Sequence, residues 1–235
     1  MVKSTPAEIR ARFDADVDRF SNLETGQTAS IDSAAVLEIV SRAAPSVTPG
    51  ARRLLDVGCG AGNYALKLLE SYPGLAVDLL DLSRPMLDRA LERLTAAGSG
   101  PLTALQGDVR DLPLAAERYD VITAAATLHH LRGEDEWVSV FAKLHAALRP
   151  GGSLWIVDLV EHHVPAVQRV MWERYGDYLV ALRDEEYRDH VFAYIEREDS
   201  PRPLLWQLDL LRATGFAHLE LLHKNGPFAA FCAIR

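Results

Sequence analysis

Residues 52–63 read RRLLDVGCGAGN, and Asp81 closes a second strand 25 residues after Asp56. The pair Leu54-Leu55 enters Asp56 as a buried strand would. Gly58, Gly60 and Gly62 follow at alternate positions, and then a helical pattern begins. A backbone without Cβ can turn sharply and approach a ligand closely. In an open parallel sheet that ligand lies beyond the carboxyl ends of the strands, facing a helix N-terminus. An acidic residue ending the next strand can accept two hydrogen bonds from a ribose diol. Asp56, the glycines and Asp81 together describe a site for a nucleoside-bearing cofactor.

The kind of cofactor follows from what the loop lacks. The dinucleotide fingerprint G-x-G-x-x-G needs a third glycine where this chain has Asn63. The phosphate loop needs a Gly-Lys-Ser/Thr that is not there. D-x-G-x-G-x-G over Asp56–Gly62 instead resembles the first motif of class I S-adenosylmethionine (SAM)-dependent methyltransferases, and the resemblance continues in order from Arg52 to Asp158. Val77-Asp78-Leu79-Leu80-Asp81-Leu82-Ser83 looks like the second motif, and Gln106-Gly107-Asp108-Val109 like the adenine-edge motif. Tyr119–Thr123 looks like strand four, Leu128-His129-His130-Leu131 like the loop after it, and Leu148–Leu154 like the turn into strand five.

The resemblance implies SAM as cofactor and S-adenosylhomocysteine (SAH) as product. It implies a binding set of Asp56, Gly58, Gly60, Gly62, Asp81, Leu82, Asp108 and Val109. Within it Asp81 would hold the ribose, Asp108 the exocyclic amine of adenine, and the Val109 N–H a ring nitrogen. It also implies an α/β fold: a Rossmann-like, doubly wound, seven-stranded sheet with a terminal antiparallel β-hairpin and helical lid insertions.

The rest of the chain reads as one domain over 1–235. Residues 1–50 form a helical cap. Ile9, Phe13, Val17 and Phe20 mark one helix over 6–22, started by Pro6. A loop through Thr25-Gly26-Gln27 leads to a second helix, capped by Asp32 or Ser33, with Val36, Leu37 and Val40 inward and Pro45 and Pro49-Gly50 ending it. Strand and helix then alternate through a cofactor-binding core at 51–160, with strands near 52–57, 76–81, 102–106, 119–124 and 153–158. Met86, Leu87, Ala90, Leu91 and Leu94 give one helix stripe; Trp137, Val138, Phe141, Leu144 and Leu148 give another. Residues 161–202 break the alternation and read as a helical lid. A helix over 203–213 stopped by Gly215, then strands 217–223 and 228–234, complete the sheet.

Composition narrows the partners. The chain has 235 residues and a formal net charge of −8, from 25 basic and 33 acidic side chains. Lys3, Lys67, Lys143 and Lys224 are scattered, so no basic footprint for nucleic acid is expected. No apolar run approaches the ~20 residues of a membrane span, and Met1–Pro6 lacks the apolar stretch of a signal peptide. Two cysteines, Cys59 and Cys232, exclude a disulfide framework and point to the cytoplasm. A small-molecule acceptor is the expected partner, with no membrane, and a homodimer is left open.

The candidates for chemistry lie on the strand rim. His129 and His130 follow strand four, and imidazole is readily poised near neutral pH. Asp158 ends strand five on the same rim and could orient a histidine or take a proton itself. The resemblance includes small-molecule O-methyltransferases with a His-His pair and a carboxylate at these places. Spacing does not choose between the two histidines, and packing against the cofactor is the alternative role. Tyr175 and Tyr178, near Trp172, are candidate acceptor contacts, with helix core as the alternative. Arg12 or Arg19 could pair with the methionine carboxylate, against a solvated helix face. Cys59 reads as a packing residue. His162-His163 lacks further ligands at recognised spacing, so no metal is expected.

Three other functions are weighed. Leu210–Phe216 and the hairpin look somewhat like carboxy-SAM synthases, which lack His-His after strand four. A non-catalytic SAM-binding partner would keep the cofactor motifs. A nicotinamide oxidoreductase is disfavoured by Asn63 and the hairpin.

Overall fold

The structure, a computed structural model, describes residues 3–22 and 27–235. Thr25 and Gly26 of the expected loop lie outside the described residues. Seven strands, β1 (Arg53–Val57), β2 (Ala76–Asp81), β3 (Leu102–Gln106), β4 (Tyr119–Ala125), β5 (Leu148–Leu159), β6 (His218–Asn225) and β7 (Phe228–Ile234), form one sheet in the order β3-β2-β1-β4-β5-β7-β6. β1, β2, β3, β4 and β5 pair in parallel, while β7 runs antiparallel between β5 and β6. The order reverses at β1, which has β2 on one side and β4 on the other. That is where an open α/β sheet leaves a crevice at its carboxyl edge. β5 begins at Leu148, earlier than its apolar run suggests, because Leu148 already pairs with Tyr119 before the register shifts.

Both faces of the sheet are covered, so its strands read as apolar runs. On one face α3 (Ser33–Val47), α4 (Asn63–Leu69) and α5 (Arg84–Ala96) bury Val36, Leu68 and Leu87 against Leu54, Leu79 and Trp155. On the other, α6 (Glu134–Ala147) and α9 (Leu204–Thr214) bury Trp137, Phe141 and Leu211 against Leu55, Ile122 and Phe231. Trp137, Phe141, Leu144 and Leu148 are core as expected, but Val138 is exposed. One residue on from Trp137 lies about 100° round the helix, off the buried face.

The N-terminal cap departs from the single helix expected over 6–22. α1 (Pro6–Ala15) starts on a capping box between Thr5 and Glu8. It ends at Asp16, whose N–H donates to the Phe13 carbonyl three residues back, and α2 (Val17–Ser21) follows. The break brings the Phe13 and Phe20 rings to 5.5 Å. Before α3, Asp32 stands at the cap position but its carboxylate accepts from His223 and Asn225 of β6 instead. Pro45 does not end α3. In the last turn it forfeits one bond, and Thr48 N–H still reaches the Ala44 carbonyl.

The expected lid is a helical pair, α7 (Pro165–Leu182) and α8 (Glu185–Glu198), between β5 and α9. Its own small core joins Leu159, Tyr175, Leu179, Val191 and Ile195. The lid is tied to the cap by Arg12 of α1. Its guanidinium donates to both carboxylate oxygens of buried Glu198, at 3.1, 3.0 and 2.9 Å, and to the Tyr194 hydroxyl at 2.7 Å. Arg12→Met would leave that carboxylate only the more distant Arg197, at 3.6 Å, and is expected to lower stability by about 3 kcal/mol, read as a fall in the denaturation midpoint.

Candidate active site

One cleft at the carboxyl edge is lined by Asp56, Gly58, Gly60, Asp81, Leu82, Asp108 and Val109, with Phe13, Phe20 and Tyr64 above them. The loop from β1 to α4 crosses its floor. The three glycines all have positive φ but serve different ends. A Cβ on Gly58 would overlap the Thr127 hydroxyl. One on Gly62 would lie 2.7 Å from Leu94 Cδ1 and 3.2 Å from Ala90 Cβ, and Gly62 is not among the cleft residues. Its place in the motif is therefore a matter of helix packing. One on Gly60 would meet nothing within 4 Å, only the open cleft.

Three carboxylates face this cleft. Asp56 is buried, accepts from Thr123 Oγ1 at 2.7 Å, and keeps Oδ2 without a partner. Burial pushes its pKa up to about 7, tempered by the Thr123 hydroxyl. Asp81 accepts from Gly60 N–H and Ser83 N–H, each at 2.8 Å, so it fixes the glycine loop before any ligand arrives. Burial also raises Asp81. Asp108 is pulled up by burial, but hydrogen bonds from the Arg110 side chain and N–H outweigh it and hold the carboxyl below its usual range. Cys59 is buried, and burial with Asp81 and Asp56 nearby raises its thiol far out of the reactive range.

A second group of side chains gathers beside the cleft. A 3₁₀ turn, Leu128–His130, follows β4 and delivers both histidines. His129 Nδ1 bonds the Asp158 carboxylate, whose other oxygen accepts the His129 N–H at 3.1 Å. His129 Nε2 lies 3.6 Å from Asp199 Oδ1, and His130 Nδ1 lies 3.3 Å from the same oxygen. His130 Nε2 is buried with no partner. Burial pulls His129 down, but Asp158 and Asp199 outweigh it and lift it to about 9. Burial and the neighbouring His129 push His130 well below 6.5. Burial lifts Asp199 to about 6 against the pull of His129. His129, His130 and Asp199 also offer one ligand atom each within 4.8 Å of one another, close enough for a divalent ion to be tested there.

Beyond the histidines opens a chamber of about 710 Å³. Its walls come from the cap (Phe13, Ile31), the core (Ala125, Asp158), the lid (Tyr175, Val191) and the hairpin (Phe228). Phe13, Phe20, Gln27, Tyr64, Ala125, Ala126 and His130 line both the cleft and the chamber, so the two spaces meet along a seam that includes His130.

A family model described as "Methyltransferase domain" matches residues 54–152, the segment that carries Asp56, Asp81, Asp108 and the two histidines. The demethylmenaquinone methyltransferase of Listeria monocytogenes is 24% identical over 75% of each chain. The 27-O-demethylrifamycin SV methyltransferase of Amycolatopsis mediterranei is 29% identical over 81% of this chain and 74% of its own. The matched segment is a methyltransferase domain, and these relatives support a SAM-dependent small-molecule methyltransferase. Among solved structures, mitomycin 7-O-methyltransferase superposes over 99% of this methyltransferase and 61% of its own chain, with a TM-score of 0.64 and 18% identity. Human N-acetylserotonin methyltransferase in complex with SAM superposes over 98% and 56%, with a TM-score of 0.58 and 17% identity. These two likenesses speak for the fold, and the chain spans only 56–61% of those longer proteins.

SAM is the cofactor of this methyltransferase, and the cleft fits it. The unpartnered Asp56 Oδ2 suits a cationic group, and the open space over Gly60 suits a ligand that approaches the backbone. Neither arginine expected at the methionine carboxylate is free for it. Arg12 is committed to Glu198, and Arg19 pairs with Asp16 at 3.5 Å, and both line the chamber rather than the cleft. The Tyr175 and Tyr178 hydroxyls donate to the Ala29 and Thr28 carbonyls, tying the segment before α3 to the lid. Tyr175 still walls the chamber; Tyr178 does not. His162 bonds Gln168 and Lys224. Asp199 was not singled out from the sequence, although the acidic pair Glu198-Asp199 just before Pro201 marks where the lid returns to the rim.

The glycines give a paired test. Gly62→Ala is expected to lower the melting temperature more than Gly60→Ala, because its Cβ meets α5. Gly60→Ala is expected to lose more SAH affinity, because its Cβ enters the cleft. Equal effects of the two on both readouts would contradict this division.

Proposed function

We propose that this enzyme methylates a mid-sized, largely apolar small molecule held in the chamber, with His130 taking the acceptor's proton. The observation that carries this reading is the position of His130, which faces cleft and chamber together and keeps a buried ring nitrogen free. When bound, SAM supplies an electrophilic methyl carbon, so the protein's share is positioning, exclusion of water and deprotonation.

Asp81, Leu82, Asp108 and Val109 would hold the nucleoside, and Asp56 the amino-acid end. His130 would accept a proton at Nε2 from a hydroxyl or an acidic carbon. Asp158 would orient His129, which stays protonated at neutral pH and so serves the acceptor electrostatically. The chamber volume lies within the range of small-molecule sites, and its walls carry apolar Ile31, Val36, Leu159 and Phe228 beside charged Arg19, Arg183, Asp184 and Glu186. The relatives named above as acting on a quinone precursor and on a rifamycin support an acceptor of this kind. They do not favour the carboxylated-SAM alternative. Cap, core, lid and hairpin act as one catalytic unit in this reading, since each supplies a wall of the chamber.

The test is SAH formation from SAM with a panel of dihydroxynaphthalenes, phenols and simple polyamines. Turnover confined to the hydroxylated aromatics supports the reading, and turnover confined to amines contradicts it. We propose further that the cluster works without a metal ion. Dialysis against EDTA is expected to leave turnover unchanged, and loss restored by zinc or manganese would replace the base by a Lewis acid at the same three side chains.

A further inference from the structure

The 3₁₀ turn after β4 and the end of α8 bring two imidazoles and a carboxylate to one point on the chamber wall. Asp199 is 4% exposed, and its Oδ1 makes no hydrogen bond. Around that oxygen stand His129 Nε2 at 3.6 Å and His130 Nδ1 at 3.3 Å. Charge-assisted hydrogen bonds would draw such atoms to about 2.7–2.9 Å. Zinc holds imidazole nitrogen and carboxylate oxygen at about 2.0–2.2 Å in a tetrahedron, whose edges are then about 3.3–3.6 Å long. Both spacings match that edge. The ligand atoms of the three residues lie within 4.8 Å of one another, so a small turn of one imidazole closes the third edge.

The surroundings suit a cation as well. His129 presents Nε2 because its Nδ1 is bound to Asp158, the carboxylate–histidine pairing that orients metal-bound imidazoles. Ser200 N–H donates to the His129 carbonyl at 2.6 Å, so the chain that carries Asp199 is fixed to the chain that carries the histidines. Two imidazoles with one carboxylate favour zinc, cobalt or nickel over magnesium and calcium.

We propose that His129 Nε2, His130 Nδ1 and Asp199 Oδ1 form a site for zinc or a like divalent ion that inhibits the enzyme, with water from the chamber as fourth ligand. The inhibition, though not the binding, rests on the reading of His130 as the base. The ion takes the lone pair of His130 Nδ1, whose long hydrogen bond to the Glu198 carbonyl, at 3.4 Å, gives way. The ring hydrogen then sits on Nε2, which can no longer accept a proton from the acceptor. At His129 the ion replaces the proton held between Asp158 and Asp199, and that proton leaves to solvent. An ion here is an inhibitor and not a cofactor, so its removal leaves turnover intact.

The test is calorimetric titration of the full-length protein with zinc chloride, repeated with magnesium chloride, beside visible spectra of the cobalt form. Zinc is expected to bind one-to-one and magnesium not to bind, and cobalt should show the d–d bands of a four-coordinate ion. Asp199→Asn and His129→Gln are each expected to weaken zinc at least about tenfold. Their SAH affinity should stay within about twofold, which reports an intact fold. Replacing both His162 and His163 by Gln is expected to leave zinc binding as it is. No zinc binding by the wild type, binding untouched by Asp199→Asn, or binding lost with His162 and His163 would overturn the site. The inhibition is read as SAH formation with a dihydroxynaphthalene acceptor, expected to fall at least about tenfold in zinc and to return on adding EDTA. Zinc bound at these three side chains with turnover undiminished would sink the inhibition and the base reading together, while leaving the metal site standing.

Discussion

His130→Gln is expected to lower kcat by about 10²–10⁴-fold, the usual contribution of a positioned base, with SAH affinity nearly unchanged. Gln keeps the size and polarity of the side chain but cannot take up a proton. The same measurement separates the two histidines by pH. Burial and His129 push His130 well below 6.5, so its base form is present at pH 7 and turnover falls only as pH drops below that value. His129 sits at about 9, lifted by Asp158 and Asp199 against burial. If His129 were the base, turnover would climb as pH rises toward 9. A flat profile between pH 7 and 8.5 with an acid limb below 6.5 supports His130. A profile still rising at pH 9 assigns the proton to His129 instead.

Asp81→Ala is expected to weaken SAH binding by at least about 100-fold. A hydrogen bond to a charged group contributes about 1.5–3 kcal/mol, and a ribose diol would lose two. The variant should fold. Asp81 is 9% exposed and burial raises its pKa, so removing it also removes a desolvated charge. What is lost structurally is its grip on Gly60 N–H and Ser83 N–H. The Gly60 N–H then faces the cleft, while the buried Ser83 N–H loses its partner, and a fall of several degrees in melting temperature is the expected extent. Calorimetric titration of SAH beside a thermal melt reads both quantities. Unchanged affinity would remove Asp81 from the site, and an unfolded variant would make its role structural.

The parallel half of the sheet was legible because burial on both faces forces apolar runs into β1, β2 and β4, and because the loop at Gly58–Gly62 admits little else. The cleft residues followed from the same segment, being local to strand ends. Local breaks were less legible. Nothing in the spacing of Phe13, Val17 and Phe20 shows that the helix stops at Asp16, since the periodicity passes through the break. Pro45 looked like a terminator but sits where one missing N–H costs little. Gly62 shares its motif with Gly58 and Gly60, yet its neighbours are Leu94 and Ala90, on a helix that folds back from later in the chain.

The other end of the site was legible only in part. His129, His130 and Asp158 lie at strand ends and could be placed on one rim. Their partners could not. Arg12 meets Glu198 across 186 residues, and His130 meets the Glu198 carbonyl across 68. Such contacts depend on how the lid packs, which no periodicity encodes. For the same reason the sequence offers Tyr175 and Tyr178 alike as acceptor contacts, whereas both hydroxyls fasten the segment before α3 and only Tyr175 lines the chamber.

A crystal structure of the protein with SAH bound tests the central claim most directly. The account predicts SAH in the cleft with its ribose on Asp81 and its sulfur turned toward His130, at the seam between cleft and chamber. SAH bound with its sulfur directed away from His130, or His130 Nε2 closed off from the chamber in that complex, would contradict it.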